Sequence, residues 1–168
     1  MKGFTSRPAP APAGPGQESV WDYPRPPRLE PVRARVRVEL AGRVVADSTG
    51  ALRILETSHP PSFYLPPADC SLEVLEAEIG TSFCEWKGEA VYESVRVGDA
   101  HAERTAWRYP APTRAYAAIA DHRSFYPGLL DCTVDGVPVT PQPGGFYGGW
   151  VTPDVVGPFK GEPGTGFW

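Results

Sequence analysis

Glu56 stands where a carboxylate is expensive. In Ala51-Leu52-Arg53-Ile54-Leu55-Glu56-Thr57-Ser58 the period of two expected of a β-strand puts Glu56 on the face of Leu52 and Ile54. Arg53, Leu55 and Thr57 share the other face. An inward carboxylate is disfavoured unless it is paired, hydrogen-bonded or part of a site. Two readings follow. Glu56 forms an ion pair, with Arg53 reaching round the strand or with Arg25 upstream, or it is the polar pole of a binding or catalytic site.

Cys84 and Lys87 form a C-x-x-K spacing at a bend before Gly88. A nearby ammonium favours a thiolate, and a thiolate is a nucleophile. The plain alternative is a small core cysteine beside a solvated lysine. A catalytic cysteine also needs a base, and His59 is the one histidine suited to it, although nothing in the sequence brings the two together.

The third group is aromatic. Tyr64, Trp107 and Tyr109, with Trp21, Tyr23 and Trp86, exceed what so small a core requires. Each ring taken singly reads as packing. Together, a wall of Tyr64, Trp107 and Tyr109 carrying Arg53, Glu56, Cys84 and Lys87 has the anatomy of a small-molecule site.

These residues must be positioned by strands. Arg33 to Leu40 alternates charged and apolar residues, and Ala41-Gly42 turns it into Arg43 to Asp47. Ala51 to Ser58 and Ser62 to Leu65 continue the pattern around the His59-Pro60-Pro61 break. Phe83-Cys84, Ala90 to Val97, Ala102 to Tyr109, Ser124 to Tyr126, Leu130 to Val134 and Val137 to Val139 read as further strands. Asp135-Gly136 between the last two is a hairpin turn signal. Leu72 to Ile79 is ambiguous, and Arg114 to Ala120 is the best helix candidate. The expected fold is all-β, a single domain of short antiparallel strands with one or two short helices.

The 168 residues include 21 prolines and 18 glycines, which favour loops over long helices. A net charge of −4 opposes nucleic-acid binding by electrostatics, so no nucleic-acid partner is expected. No stretch of 18 apolar residues exists and Met1 to Gln17 lacks the apolar core of a secretory signal, so no membrane is expected and the location reads as cytoplasmic. Three cysteines without a CxxC pair suit a reducing compartment and offer no zinc framework. Residues 1–17 are Pro/Ala-rich and are expected to be disordered. Residues 18–31 read as an extended arm docked on the domain. Residues 141–168, rich in Gly, Pro and aromatics, are expected to pack on the domain or, as a homo-oligomer contact, on a neighbouring subunit.

The blocks ESVWDYPRPP (18–27), ADSTGALRILETSHPPSFYLP (46–66), TSFCEWKGEAVY (81–92), AWRYPAP (106–112) and the VDG turn (134–136) occur in this order in one bacterial family. Over roughly residues 18 to 140 the chain resembles the domain-of-unknown-function family 427. The resemblance implies a β-tent-like fold, akin to methionine sulfoxide reductase B, the Yippee proteins and the ligand-binding domain of cereblon. Many of those carry zinc on two cysteine pairs. This chain has neither pair, so no metal and no cofactor are expected. Some catalogues label the family nucleotidyltransferase-like. Metal-dependent nucleotidyl transfer wants clustered carboxylates and a glycine-rich phosphate turn; here Asp131 and Asp135 flank a hairpin and there is no D-x-D.

The preferred expectation is a module binding a small planar or polar ligand through Arg53, Glu56, Tyr64, Cys84, Lys87, Trp107 and Tyr109. The alternatives are an enzyme (hydrolase or group transfer, including nucleotidyl transfer) using Cys84 or Glu56, and a structural or oligomerisation module.

Overall fold

The computed structural model describes residues 7–168. Along the chain run β1 (Glu18–Ser19), β2 (Arg28–Pro31), β3 (Val36–Leu40), β4 (Arg43–Ser48), β5 (Leu52–Leu55) and β6 (Ser62–Tyr64). They are followed by β7 (Leu75–Cys84), β8 (Gly88–Val97), β9 (Ala100–Arg108), β10 (Ser124–Phe125) and β11 (Asp131–Val134). Short strands β12 (Val137–Pro138), β13 (Thr140–Pro141), β14 (Trp150–Val151) and β15 (Val155–Val156) complete the set. Two four-stranded antiparallel sheets, β10-β9-β8-β7 and β12-β11-β3-β4, are joined by a three-stranded sheet β2-β5-β6. β13 pairs with β14, and β1 pairs in parallel with β15. The all-β architecture is as expected. The ambiguous Leu72 to Ile79 stretch resolves into a 3-10 turn at Leu72–Val74 leading into β7. The helix candidate becomes a kinked 3-10 segment, Arg114–Ile119. Among the described residues no helix is long and apolar enough to cross a membrane.

Strand alternation builds the main core. Val36 and Val38 of β3, Val45 and Ala46 of β4, Val95 of β8, and Ala102 and Ala106 of β9 meet around Phe63, Phe125 and Trp150. Trp150 is fully buried, lies stacked on Phe63 at 4.8 Å between ring centroids, and donates its indole N–H to Phe125 O (2.8 Å). The β8–β9 register slips between Glu93 and Val95, and Arg104 opposite takes a positive φ of 47°. The bulge adds two residues to β9, an even number, so alternation stays in step and Ala102 and Ala106 both face the core. The arm of residues 18–31 docks on the domain but is not extended throughout, since Val20–Asp22 coil into a 3-10 turn capped by Ser19; β2 pairs with β5, and Trp21 and Tyr23 pack with Leu55 and Val155.

The expectation of a disordered N-terminus falls, for residues 1–6, outside the described residues. Beyond them, Ala11 N–H donates to Gly157 O (2.8 Å) and the Arg7 guanidinium lies 4.6 Å from the Trp21 ring centroid. The Arg-rich stretch ahead of and along β3 meets acids: Arg25 with Glu56, Arg28 with Glu30, Arg35 with Asp47 and Arg37 with Glu39.

Candidate functional site

Because successive strand residues point to opposite faces, the residues that fill the core also aim their neighbours elsewhere. Phe63 enters the core, so Ser62 and Tyr64 face away from it. Ala106 enters the core, so Trp107 faces away, and Tyr109 follows it. Ala90 and Tyr92 of β8 and Ile54 of β5 join them. The result is a second, aromatic cluster bordering a cavity of about 790 Å³. Tyr64 lies edge-on to Trp107 (6.5 Å), and Trp107 leans on Tyr126 (4.6 Å).

The opposite wall comes from the C-terminal segment. Pairing of β13 with β14 and burial of Trp150 anchor the loop between them, which carries Gln142, Tyr147 and Gly148 to the cavity. Gly148 sits against the Trp107 indole so closely that a Cβ there would lie 2.1 Å from its Cη2. No other residue fits that contact unchanged. Tyr147 stands edge-on to His59 at 4.7 Å.

Between the walls lies a polar pole. Glu56 Oε2 accepts from Arg25 Nε (2.9 Å) and is 3.5 Å from His59 Nε2. Burial pushes the Glu56 carboxyl up, but His59 and Arg25 outweigh it and pull the pKa down to about 2. Gln142, buried in the chain's interior, fixes the imidazole. Its Oε1 accepts from Gly149 N–H (3.0 Å), so its amide nitrogen must face Lys160 O (2.8 Å) and His59 Nδ1 (3.0 Å). Both amide protons are thereby used, Nδ1 acts as acceptor, and the imidazole N–H sits on Nε2 facing Glu56.

Lys87 occupies the tip of the β7–β8 hairpin, where Gly88 (φ 104°) makes the turn. Thr113 braces that tip, its N–H donating to Lys87 O (2.9 Å) and its hydroxyl to Trp86 O (2.5 Å). The ammonium lies over the Tyr109 ring at 5.6 Å from the centroid. Burial works against its charge, while the negative charge that Tyr64, Tyr109, Cys84 and Glu56 can carry works for it and raises its pKa. Burial likewise raises the phenols of Tyr109 and Tyr126, the latter to about 12, so both are neutral donors at pH 7.

Of the seven residues expected at a site, six line this one cavity: Glu56, Tyr64, Cys84, Lys87, Trp107 and Tyr109. Arg53 does not. Alternation in β5 sends it to the opposite face, where it binds Glu18 (2.9 Å) and Glu30. The Glu56 ion pair is with Arg25, one of the two partners the sequence offered. His59 does share the cavity with Cys84, but its Nδ1 is engaged by Gln142 and its N–H faces Glu56. Gln142, Tyr147, Lys160 and Arg104 escaped sequence reasoning. The Gly-Gly-Phe-Tyr-Gly-Gly run at 144–149 was the available signal, since small residues flanking rings permit close approach to another surface. A smaller hollow of about 460 Å³ on β3 and β11 holds Arg35, Arg37 and Asp131 and, among the described residues, no aromatic side chain. Among the described residues no three His, Cys, Asp or Glu side chains gather as a metal site.

Comparison with known proteins adds two findings. The chain is 30% identical over 91 residues to the tetracenomycin polyketide synthesis 8-O-methyl transferase TcmO of Streptomyces glaucescens. The similarity takes in 53% of this chain and 26% of that protein, so the chain spans about a quarter of the relative's length. The family described as "Domain of unknown function (DUF427)", labelled NTP_transf_9, matches residues 28–136, which carry the β2-to-β11 scaffold and the Tyr64, Lys87 and Trp107 side of the cavity. The chain belongs to that family.

Proposed function

We propose that the domain is a binding module for a small planar ligand bearing polar groups, held in the cavity between the strand wall and the C-terminal wall. The observation that carries this reading is the convergence of nine aromatic side chains on one hollow of about 790 Å³ with an ionised carboxylate at its pole. A volume of that size accommodates a drug-sized molecule, and rings interspersed with polar and charged side chains offer it both stacking faces and polar anchors. Glu56 Oε2 already serves Arg25 and His59, which leaves Oε1 to accept an N–H or O–H from the ligand. By its name the relative is an O-methyl transferase of polyketide synthesis. A phenolic polyketide would meet both demands of this cavity, ring faces and a hydroxyl donor.

The enzyme alternative is less well supported. A carboxylate with a pKa of about 2 is a weak general base at neutral pH. The lone pair of His59 Nδ1 is engaged by Gln142, so the imidazole has no free acceptor for the Cys84 proton. Nucleotidyl transfer would want clustered carboxylates for its metal, and the cavity carries Glu56 beside a surface glutamate, Glu85.

The test is titration with the neutral planar probe 2-naphthalenemethanol, read by quenching of tryptophan emission. Saturable quenching that weakens in Trp107→Leu supports the reading. A linear, unsaturable response, the same in both proteins, removes it.

A further inference from the structure

Among the described residues three cations border the cavity, Lys87, Arg104 and Lys160, and two of them are already engaged. Arg104 donates to Ile79 O (2.7 Å) and stacks on Tyr92 (4.5 Å). Lys160 donates to Trp168 O (3.4 Å) and faces the Tyr147 ring (5.5 Å). Lys87 differs. Among the described residues it has no carboxylate within ion-pair distance and no hydrogen bond from its ammonium; its one recorded contact is the face of Tyr109. It is also not free to leave, because Thr113 holds the peptide of Lys87 and the peptide before it from the far side of the hairpin.

A half-buried ammonium without an ion-pair partner is unfavourable, and a ring face offsets only part of the loss. The Glu56 carboxylate favours the ammonium from a distance but forms no ion pair with it, since Glu56 is bound to Arg25 and faces His59. The ammonium therefore projects positive charge into a hollow walled by rings. Resting on the binding reading above, we infer that the ligand is an aromatic anion, a ring carrying a carboxylate or an ionised phenol, whose acidic oxygen meets Lys87 while its plane lies against Tyr109 and Trp107. The same lysine then selects against neutral rings of equal shape, as a charge-assisted hydrogen bond in a partly desolvated site is stronger than a neutral one.

The experiment compares 2-naphthoate with 2-naphthalenemethanol, equal in ring and differing in charge, on the full chain at pH 7.5. Wild type should bind the naphthoate at least tenfold more tightly. That preference should collapse in Lys87→Met and in Lys87→Gln; having both guards against one variant that folds poorly, and thermal melts identify it. Equal affinity for the two probes in wild type overturns the anion assignment and leaves the ring-binding reading standing. A preference that persists in both variants overturns the role of Lys87 and moves the charge to Lys160 or Arg104. Failure of both probes to bind overturns the binding reading itself.

Discussion

Gly148→Ala is the sharpest perturbation of the seam between the two walls. The added Cβ would lie 2.1, 2.7 and 3.2 Å from three carbons of the Trp107 six-membered ring. Ordinary contact begins near 3.4 Å, so ring or loop must retreat by about 1.3 Å. Neither has room: Trp107 is backed by Tyr126 at 4.6 Å, and the loop is fixed by Gln142 and the buried Trp150. The backbone of Gly148 is not in the left-handed region, so alanine itself is unstrained and the loss is purely steric. Overpacking of this kind costs about 1–3 kcal/mol, which for a domain of this length lowers Tm by roughly 2–12 °C. Gly166→Ala is the control, because nothing lies within 4 Å of its Cβ and its φ is ordinary. Thermal melts and near-ultraviolet circular dichroism read the outcome: Gly148→Ala should melt lower and lose part of its aromatic signal, and Gly166→Ala should do neither. Identical melts and spectra for the two variants would show that residue 148 does not rest on Trp107, and the second wall would have to be withdrawn.

Two further expectations concern charge and thiols. The folded pKa of Glu56, about 2 against an ordinary 4.5, contributes stability that is fully present above pH 4.5 and is lost as pH falls towards 2. It amounts to about 3 kcal/mol at most. Urea titrations at several pH values should therefore show the stability gap between wild type and Glu56→Gln shrinking across that window; a gap independent of pH would mean Glu56 is not held by Arg25 and His59. Burial raises the Cys70 and Cys132 thiols to about 12, leaving almost no thiolate at pH 8. Iodoacetamide should modify Cys84 alone, with protection by a bound naphthoate, and peptide mass spectrometry showing Cys132 labelled at the same rate would contradict the packing around it.

Much of the strand wall was legible because one rule governs it. Period-two alternation placed Glu56 with Leu52 and Ile54, and Trp107 with Tyr109, and it assigned Arg53 to the other face. Arg53 was nonetheless counted at the site on the strength of its charge; Glu18 and Glu30, brought together by the arm, claim it instead. The hairpin at Asp135-Gly136 was readable for a similar local reason, the left-handed conformations that both residues adopt. The C-terminal wall was not readable. Its position depends on Trp150 reaching Phe63 and Phe125, contacts between residues far apart in the chain that no local pattern encodes. The role of His59 was hidden in the same way, since its tautomer is set by Gln142 from 83 residues away.

The family segment ends at residue 136, yet Gln142, Tyr147, Gly148 and Lys160 all border the hollow. On the binding reading, what the domain would accept is therefore written in two separate stretches of chain. Grouping relatives by the shared segment alone sorts them by ring floor and lysine, and overlooks the half that borders the hollow from the other side. Proteins alike from 28 to 136 but unlike afterwards should differ in the molecule they hold while keeping the same scaffold.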